Sequence, residues 1–281
     1  SEYSTAVNQW NLAPRIAFAY RISKNWTSSL AYGRFYQNPE NQYFGTHDLN
    51  FQKAEHYVLQ VQKAEEGRSF RAEAFYKNYK DLIKTKLEKY RPVAISNNGD
   101  GFAKGIELFW SNKKSIKNID YWVSYSFLDS KRNFQNYDQS LFPNFAAKHT
   151  LSVVAKKFVA DWKTGFNLSY SYASGRPYYN FLTDDNGNYY LNSKGKVKDF
   201  NALNFSLNYL PNLGKNDSKS FPVLVLSVNN ILNQKNIYGY NFSRDGLRSQ
   251  PILPSANTFI FVGAFISFGI DRTQDAIDNN L

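Results

Sequence analysis

The chain has 281 residues with no cysteine and no methionine, which excludes disulfides and thiolate metal sites. Its net charge of +11 is scattered through loops and strand ends rather than gathered into a basic helix or tract, so an anionic surface such as lipopolysaccharide, or an anionic solute, suits it better than nucleic acid. Aromatic residues reach 17%, mean hydropathy is −0.55, and no run of eighteen apolar residues occurs, which excludes helical membrane spans.

From the N-terminus, alternating apolar and polar residues predict about eleven strands, near 14–22, 26–36, 53–63, 68–79, 101–112, 118–129, 146–157, 161–173, 199–210, 221–230 and 258–270. Their connections are alternately short and long. Ser23–Asn25 is short and Gln37–Gln52 long; Ala64–Gly67 is short and Lys80–Asp100 long. The pattern holds to the C-terminus, with Pro211–Ser220 the loosest of the short turns. Short turns on one rim and long loops on the other are what an outer-membrane β-barrel needs. A soluble sandwich has no reason to sort its loops by parity.

Within the strands the two faces differ. Phe166, Leu168, Tyr170 and Tyr172 alternate with Asn167, Ser169 and Ser171; Leu203, Phe205, Leu207 and Tyr209 alternate with Asn204, Ser206 and Asn208. Alternation alone fits a soluble antiparallel sheet equally well. Strand length separates the two, because most segments reach the roughly ten residues that cross a bilayer at barrel tilt, against roughly five to six in soluble strands. The expected fold is therefore all-β, a transmembrane antiparallel up-and-down β-barrel. Its lipid face should include Ile16, Phe18, Tyr20, Leu203, Phe205, Leu207, Ile260, Val262 and Ile266. Trp26, Trp110, Trp122 and Trp162 lie at or near short connections, where an interfacial aromatic belt would put them. An odd strand count does not return both ends to one side of the membrane. Eleven strands are half of a 22-stranded transporter barrel. On that reading 14–270 is the C-terminal part of a barrel, 1–13 the remnant of an extracellular loop, and 271–281 a polar periplasmic tail.

Several segments carry a family resemblance. Leu12–Tyr20 followed by Ala31–Pro39 resembles the mid-barrel strand pair of TonB-dependent outer-membrane receptors. Ala72–Tyr79 and Lys104–Leu108 are similar to two further strands of that family, and Ser174–Tyr178 and Val228–Asn233 to two landmarks near its C-terminus. The style is similar to that of receptors from Bacteroidota, over about 11–270. The resemblance implies active import across the Gram-negative outer membrane of a scarce solute such as a metal chelate, cofactor, glycan or peptide. It also implies an N-terminal barrel half and plug that this chain does not contain, the TonB–ExbB–ExbD complex as energy source, and contact with a surface lipoprotein or larger outer-membrane complex. A non-transporting barrel that acts as a structural or assembly partner is the alternative. No cofactor is implied.

Loops on a rigid scaffold commonly carry recognition. The two loops densest in Tyr and Arg hold Arg176, Tyr178 and Tyr179, and Tyr238, Tyr240 and Arg244. Tyr joins broad apolar contact to a hydroxyl and Arg grips carboxylate or phosphate, so these six are the expected ligand contacts. Asp184–Asn188 reads as a tight turn rather than a calcium loop, lacking the ligand spacing of an EF-hand. His47, His56 and His149 are far apart and no Gly-x-Ser-x-Gly marks a nucleophile, so an enzyme is not expected.

Overall fold

The structure is a computed structural model describing residues 2–4, 7, 9–43, 49–215 and 220–269. In chain order the strands are β1 (Glu2–Ser4), β2 (Gln9–Asn11), β3 (Arg15–Arg21), β4 (Trp26–Gln37), β5 (Gln52–Glu65), β6 (Arg68–Glu88), β7 (Arg91–Asn112), β8 (Ile119–Asn133), β9 (His149–Val159), β10 (Thr164–Ala173), β11 (Pro177–Thr183), β12 (Tyr189–Lys196), β13 (Phe200–Tyr209), β14 (Ser220–Asn229), β15 (Gly239–Phe242), β16 (Ser249–Ile252) and β17 (Phe259–Phe268). Eleven of them form a single antiparallel sheet whose spatial order is the chain order, β3-β4-β5-β6-β7-β8-β9-β10-β13-β14-β17. Each expected strand corresponds to one of these eleven.

Side chains of directly paired residues share a face, so the register traces the lipid side across the sheet. One row runs Phe18–Leu30–Leu59–Ala74–Ile106–Phe127. Another runs Phe166–Leu207–Leu226–Val262. All nine residues assigned to lipid lie on this one face, and the outermost are open, Tyr20 at 73% and Val262 at 76% exposure. The opposite face carries Ser29, Gln60, Glu73, Glu107 and Ser126 in a single row, a set that only a wet lumen accommodates.

Aromatic girdles bound the lipid face. Tyr32, Tyr57 and Tyr76 make successive ring contacts at 5.1 and 6.3 Å. Six residues toward the short turns, Trp26, Phe70 and Trp110 form a second chain of rings at 6.3 Å spacing. Beyond the tyrosines the same face turns ionic, with Arg34–Glu55 at 2.8 Å. The lower row continues through Val123, Val153, Tyr170 and Leu203, which are apolar-band residues rather than girdle. A row perpendicular to the strands thus crosses the band obliquely, the signature of strand tilt. Trp122 corrects the belt expectation. It pairs with Ser111 and Val154 on the lumen side, where the Lys156 ammonium lies 5.3 Å from its ring.

The loop expectation needs a larger correction. Lys80–Asp100 is not an open loop, because β6 and β7 continue out of the sheet as a ribbon that turns at Lys89 and Tyr90. Both turn residues have positive φ, 46° and 67°, as a two-residue hairpin turn of the primed type requires. The ribbon buries Ile83 and Ala94 against Tyr43 and Leu49 of the preceding loop. Two other long loops also form hairpins, β11–β12 and β15–β16. Residues 161 and 162 belong to the one-turn 3-10 segment Ala160–Trp162, and Lys163 is its left-handed cap, so none of the three is part of the strand. At the opposite rim Phe158, Leu210 and Phe221 pack together under the β13–β14 turn. The polar tail 271–281 lies outside the described residues, as does His47.

Candidate functional site

The hairpins follow from sequence. In β11 Tyr178 and Tyr179 alternate faces, and Gly195 sits opposite Tyr178. A Cβ on Gly195 would lie 2.4 Å from the Tyr178 hydroxyl oxygen, so only glycine leaves room for that ring. At the tip, the Asp184 carboxylate accepts the backbone N–H groups of Asn186 and Asn188 and the Asn188 side-chain amide. These bonds, led by the side-chain amide, hold its pKa below the ordinary carboxylate value. The segment is the tight turn expected, with the carboxylate saturated from within.

The two Tyr- and Arg-rich loops pack against each other. Arg176 Nη2 donates to the Tyr238 carbonyl at 2.6 Å. The Tyr178 ring meets Tyr240 at 4.8 Å, edge-on, and Phe242 at 5.9 Å. Four of the six expected residues, Arg176, Tyr178, Tyr238 and Tyr240, therefore form one cluster. Arg244 instead lies 4.5 Å over the ring of Tyr90, at the tip of the β6–β7 ribbon. That ribbon also meets the β11–β12 turn, where Leu87 N–H donates to the Gly187 carbonyl at 2.8 Å. Gly187 has φ +80° and a Cβ there would sit 2.0 Å from the Leu87 carbonyl oxygen, so the dock needs glycine twice over. Tyr179 faces away from the cluster. Its hydroxyl donates to the Phe142 carbonyl at 2.8 Å, and its ring packs on Tyr137 and Phe181. Burial pushes its phenol up to about 12.

The structure adds a site that sequence reasoning missed. On the lumen face, at the long-loop end, a cavity of about 610 Å³ opens between β4, β5, β6 and the extension of β8. Arg132 lines it. The guanidinium lies 4.3 Å from the Tyr79 ring centroid, with Phe134 and Phe145 at 5.6 and 5.7 Å. Its Nε is buried with no hydrogen-bond partner, and it forms no ion pair among the described residues. Gln37, Gln52, Gln135 and His56 supply further polar atoms. Nearby, burial lowers the pKa of Lys84, whose ammonium donates to Asn133 Oδ1 at 2.6 Å and to the Tyr137 carbonyl. Glu40 and Lys53 also line the cavity, and an aromatic-boxed guanidinium with no ion-pair partner has the chemistry to accept an anionic group. The signal was present as Lys131-Arg132-Asn133-Phe134, just past the expected end of the eighth strand.

Residues 1–231 match the family model described as TonB dependent receptor-like, beta-barrel. The chain belongs to this family. Sequence comparison with curated proteins finds no match. Among solved structures it is similar to the outer membrane transporter YddB from Escherichia coli, with TM-score 0.69 and 13% identity over 95% of this chain and 42% of that one. The FrpB iron transporter from Neisseria meningitidis follows at TM-score 0.65 and 15% identity, over 92% and 38%. The ferric citrate transporter FecA in its unliganded form gives 0.66 and 13%, over 91% and 38%. Identities this low show a shared fold, and the chain spans about two-fifths of the length of these relatives. This TonB-dependent receptor barrel resides in the Gram-negative outer membrane, as its lipid face and girdles require.

Proposed function

We propose that this barrel segment serves active, TonB-dependent import of a scarce anionic solute, in the range of metal chelates, cofactors, glycans and peptides. It is a binding and transport protein rather than an enzyme. The solute is captured on the long-loop rim by Arg176, Tyr178, Tyr238 and Tyr240, then handed to Arg132 on the lumen wall. The observation that carries this reading is Arg132 itself. A guanidinium with its Nε desolvated and unpaired is a costly arrangement unless an anion visits. The named relatives fit this reading, one being an iron transporter and another a ferric citrate transporter.

The test is growth of a strain carrying the full-length protein on a panel of limiting iron chelates, cofactors, oligosaccharides and peptides. Deleting the gene should create a requirement for one class. Arg132→Ala should reproduce that defect, lowering uptake roughly 10–100-fold, the range for losing a charge-assisted hydrogen bond. Arg132→Lys should restore part of it. If gene deletion leaves growth unchanged on every substrate but disturbs a membrane complex, the barrel is a scaffold and the import reading falls.

A further inference from the structure

A second cleft opens on the other side of the barrel wall. On β8 the residues Phe127, Asp129 and Lys131 succeed one another on the lipid-facing side, since Phe127 pairs with Ile106 of the apolar band. Lys131 therefore stands four residues beyond Phe127, about 13 Å farther out along the strand. The cleft, about 590 Å³, lies at this level between β8, β9 and the β11–β12 hairpin. Lys131 and Lys148 come from the wall, and Lys194 and Lys196 from the hairpin, where both share a face with Tyr179 and Pro177. Lys148 Nζ lies 5.9 Å from the Phe127 ring centroid, which ties the charge to the edge of the lipid band. The one carboxylate lining the cleft, Asp129, is engaged by Lys104 at 3.6 Å. None of the four lysines forms an ion pair among the described residues.

We propose that this cleft is a binding site for a phosphorylated lipid headgroup of the outer leaflet. Four ammonium groups stand here against two carboxylates, Asp129 held by Lys104 and Asp199 in the field of Lys196. That excess calls for further negative charge, and lysine binds phosphate as a point charge. Position selects the lipid. The cleft adjoins the apolar band from outside, at the height where headgroups lie, whereas an imported solute passes on the lumen side. The inference does not depend on what the barrel imports, or on whether it imports anything.

The test uses the full-length protein purified in detergent, with retention read by native mass spectrometry. The probes are a bis-phosphorylated glucosamine lipid, its dephosphorylated counterpart and inorganic phosphate. The phosphorylated lipid should be retained selectively. The triple variant Lys131→Ala, Lys148→Ala, Lys194→Ala should lose roughly hundredfold in retention, three surface lysines each contributing about fivefold. The corresponding Arg triple should keep it, as should Lys24→Ala, Lys114→Ala, Lys117→Ala on the short-turn rim. Equal retention of the dephosphorylated lipid overturns the proposal, as does an Ala triple that retains the lipid. Displacement of the lipid by inorganic phosphate at comparable concentration also overturns it, in favour of a free-anion site. Should the Ala triple not fold, the two lipids compared on the unaltered protein still decide.

Discussion

At the scale of single residues, the two C-terminal landmarks turn out to be stitches that close loops. Asn230 is buried with φ 53°, a left-handed conformation that asparagine tolerates. Its amide donates to the carbonyls of Gln234 and Asn257 at 2.9 and 2.8 Å and accepts from Gln234 N–H at 3.1 Å, joining the start of a long loop to its end. Asn230→Ala strands these partners and should cost about 1–3 kcal/mol locally. Hydrogen exchange at Gln234 should then speed up roughly tenfold or more, and an unchanged rate would remove the stitch role. Ser174–Tyr178 works alike, with Gly175 N–H donating to Asp199 and Arg176 to the Tyr238 carbonyl. Tyr179 gives a pH prediction. Its folded pKa of about 12 lies above the ordinary 10.0, mainly through burial. The fold therefore favours the neutral phenol, a contribution complete below pH 10 and lost as pH rises through about 12. Difference titration of tyrosinate absorbance against Tyr179→Phe should show one late-ionising phenol; a midpoint near 10 would mean that the ring is solvated.

At the scale of elements, each strand presents two solvents with one residue type apiece, and that is testable at Leu207. It sits in the row Phe166–Leu207–Leu226–Val262, apolar across four strands. Leu207→Arg should cost about 2–4 kcal/mol if the row lies near mid-bilayer. Reversible unfolding in lipid vesicles would measure it, and a neutral effect would move the row to an interface. The same two-solvent pattern is why the sheet was legible in the sequence. A period of two repeated over ten residues leaves register almost no freedom, so all eleven strands and the lipid face could be read. The ribbon beyond Tyr79 was less legible. Leu82–Leu87 and Pro92–Ile95 alternate, but the turn is Lys89-Tyr90, two residues with no left-handed preference, in place of the Asn-Gly that advertises such turns. Trp122 was misplaced because nearness to a turn was weighed above its parity in the strand. The Arg132 site was legible only in part, as Arg132 and Phe134 two residues apart, for a different reason. Its rings come from Tyr79, Phe134 and Phe145, on three separate stretches of chain, and only the folded sheet brings them around one guanidinium.

At the scale of the whole molecule, the long-loop rim is an interlocked assembly rather than a set of independent loops. The β6–β7 ribbon holds Gly187 of one hairpin and Arg244 of the loop carrying another, and those two hairpins meet through Tyr178 and Tyr240. The barrel ladders β10–β13 and β14–β17 lie apart from these contacts, so removing both hairpins should spare the wall. The rim cluster and the Arg132 cavity draw on different loops, and this separates their roles experimentally. Excising 176–196 and 238–252 with short Gly-Ser bridges removes all four cluster residues but none of the residues lining the cavity. If the rim captures solute for the lumen site, the double excision should raise the solute concentration needed for half-maximal uptake while maximal uptake persists. Arg132→Ala should instead depress uptake at every concentration. Concentration-dependent uptake of the solute found by the growth panel, with folding checked by resistance to heat denaturation, distinguishes the two. Unchanged uptake after excision would remove the cluster from the pathway and leave the lumen cavity as the whole of this segment's binding site.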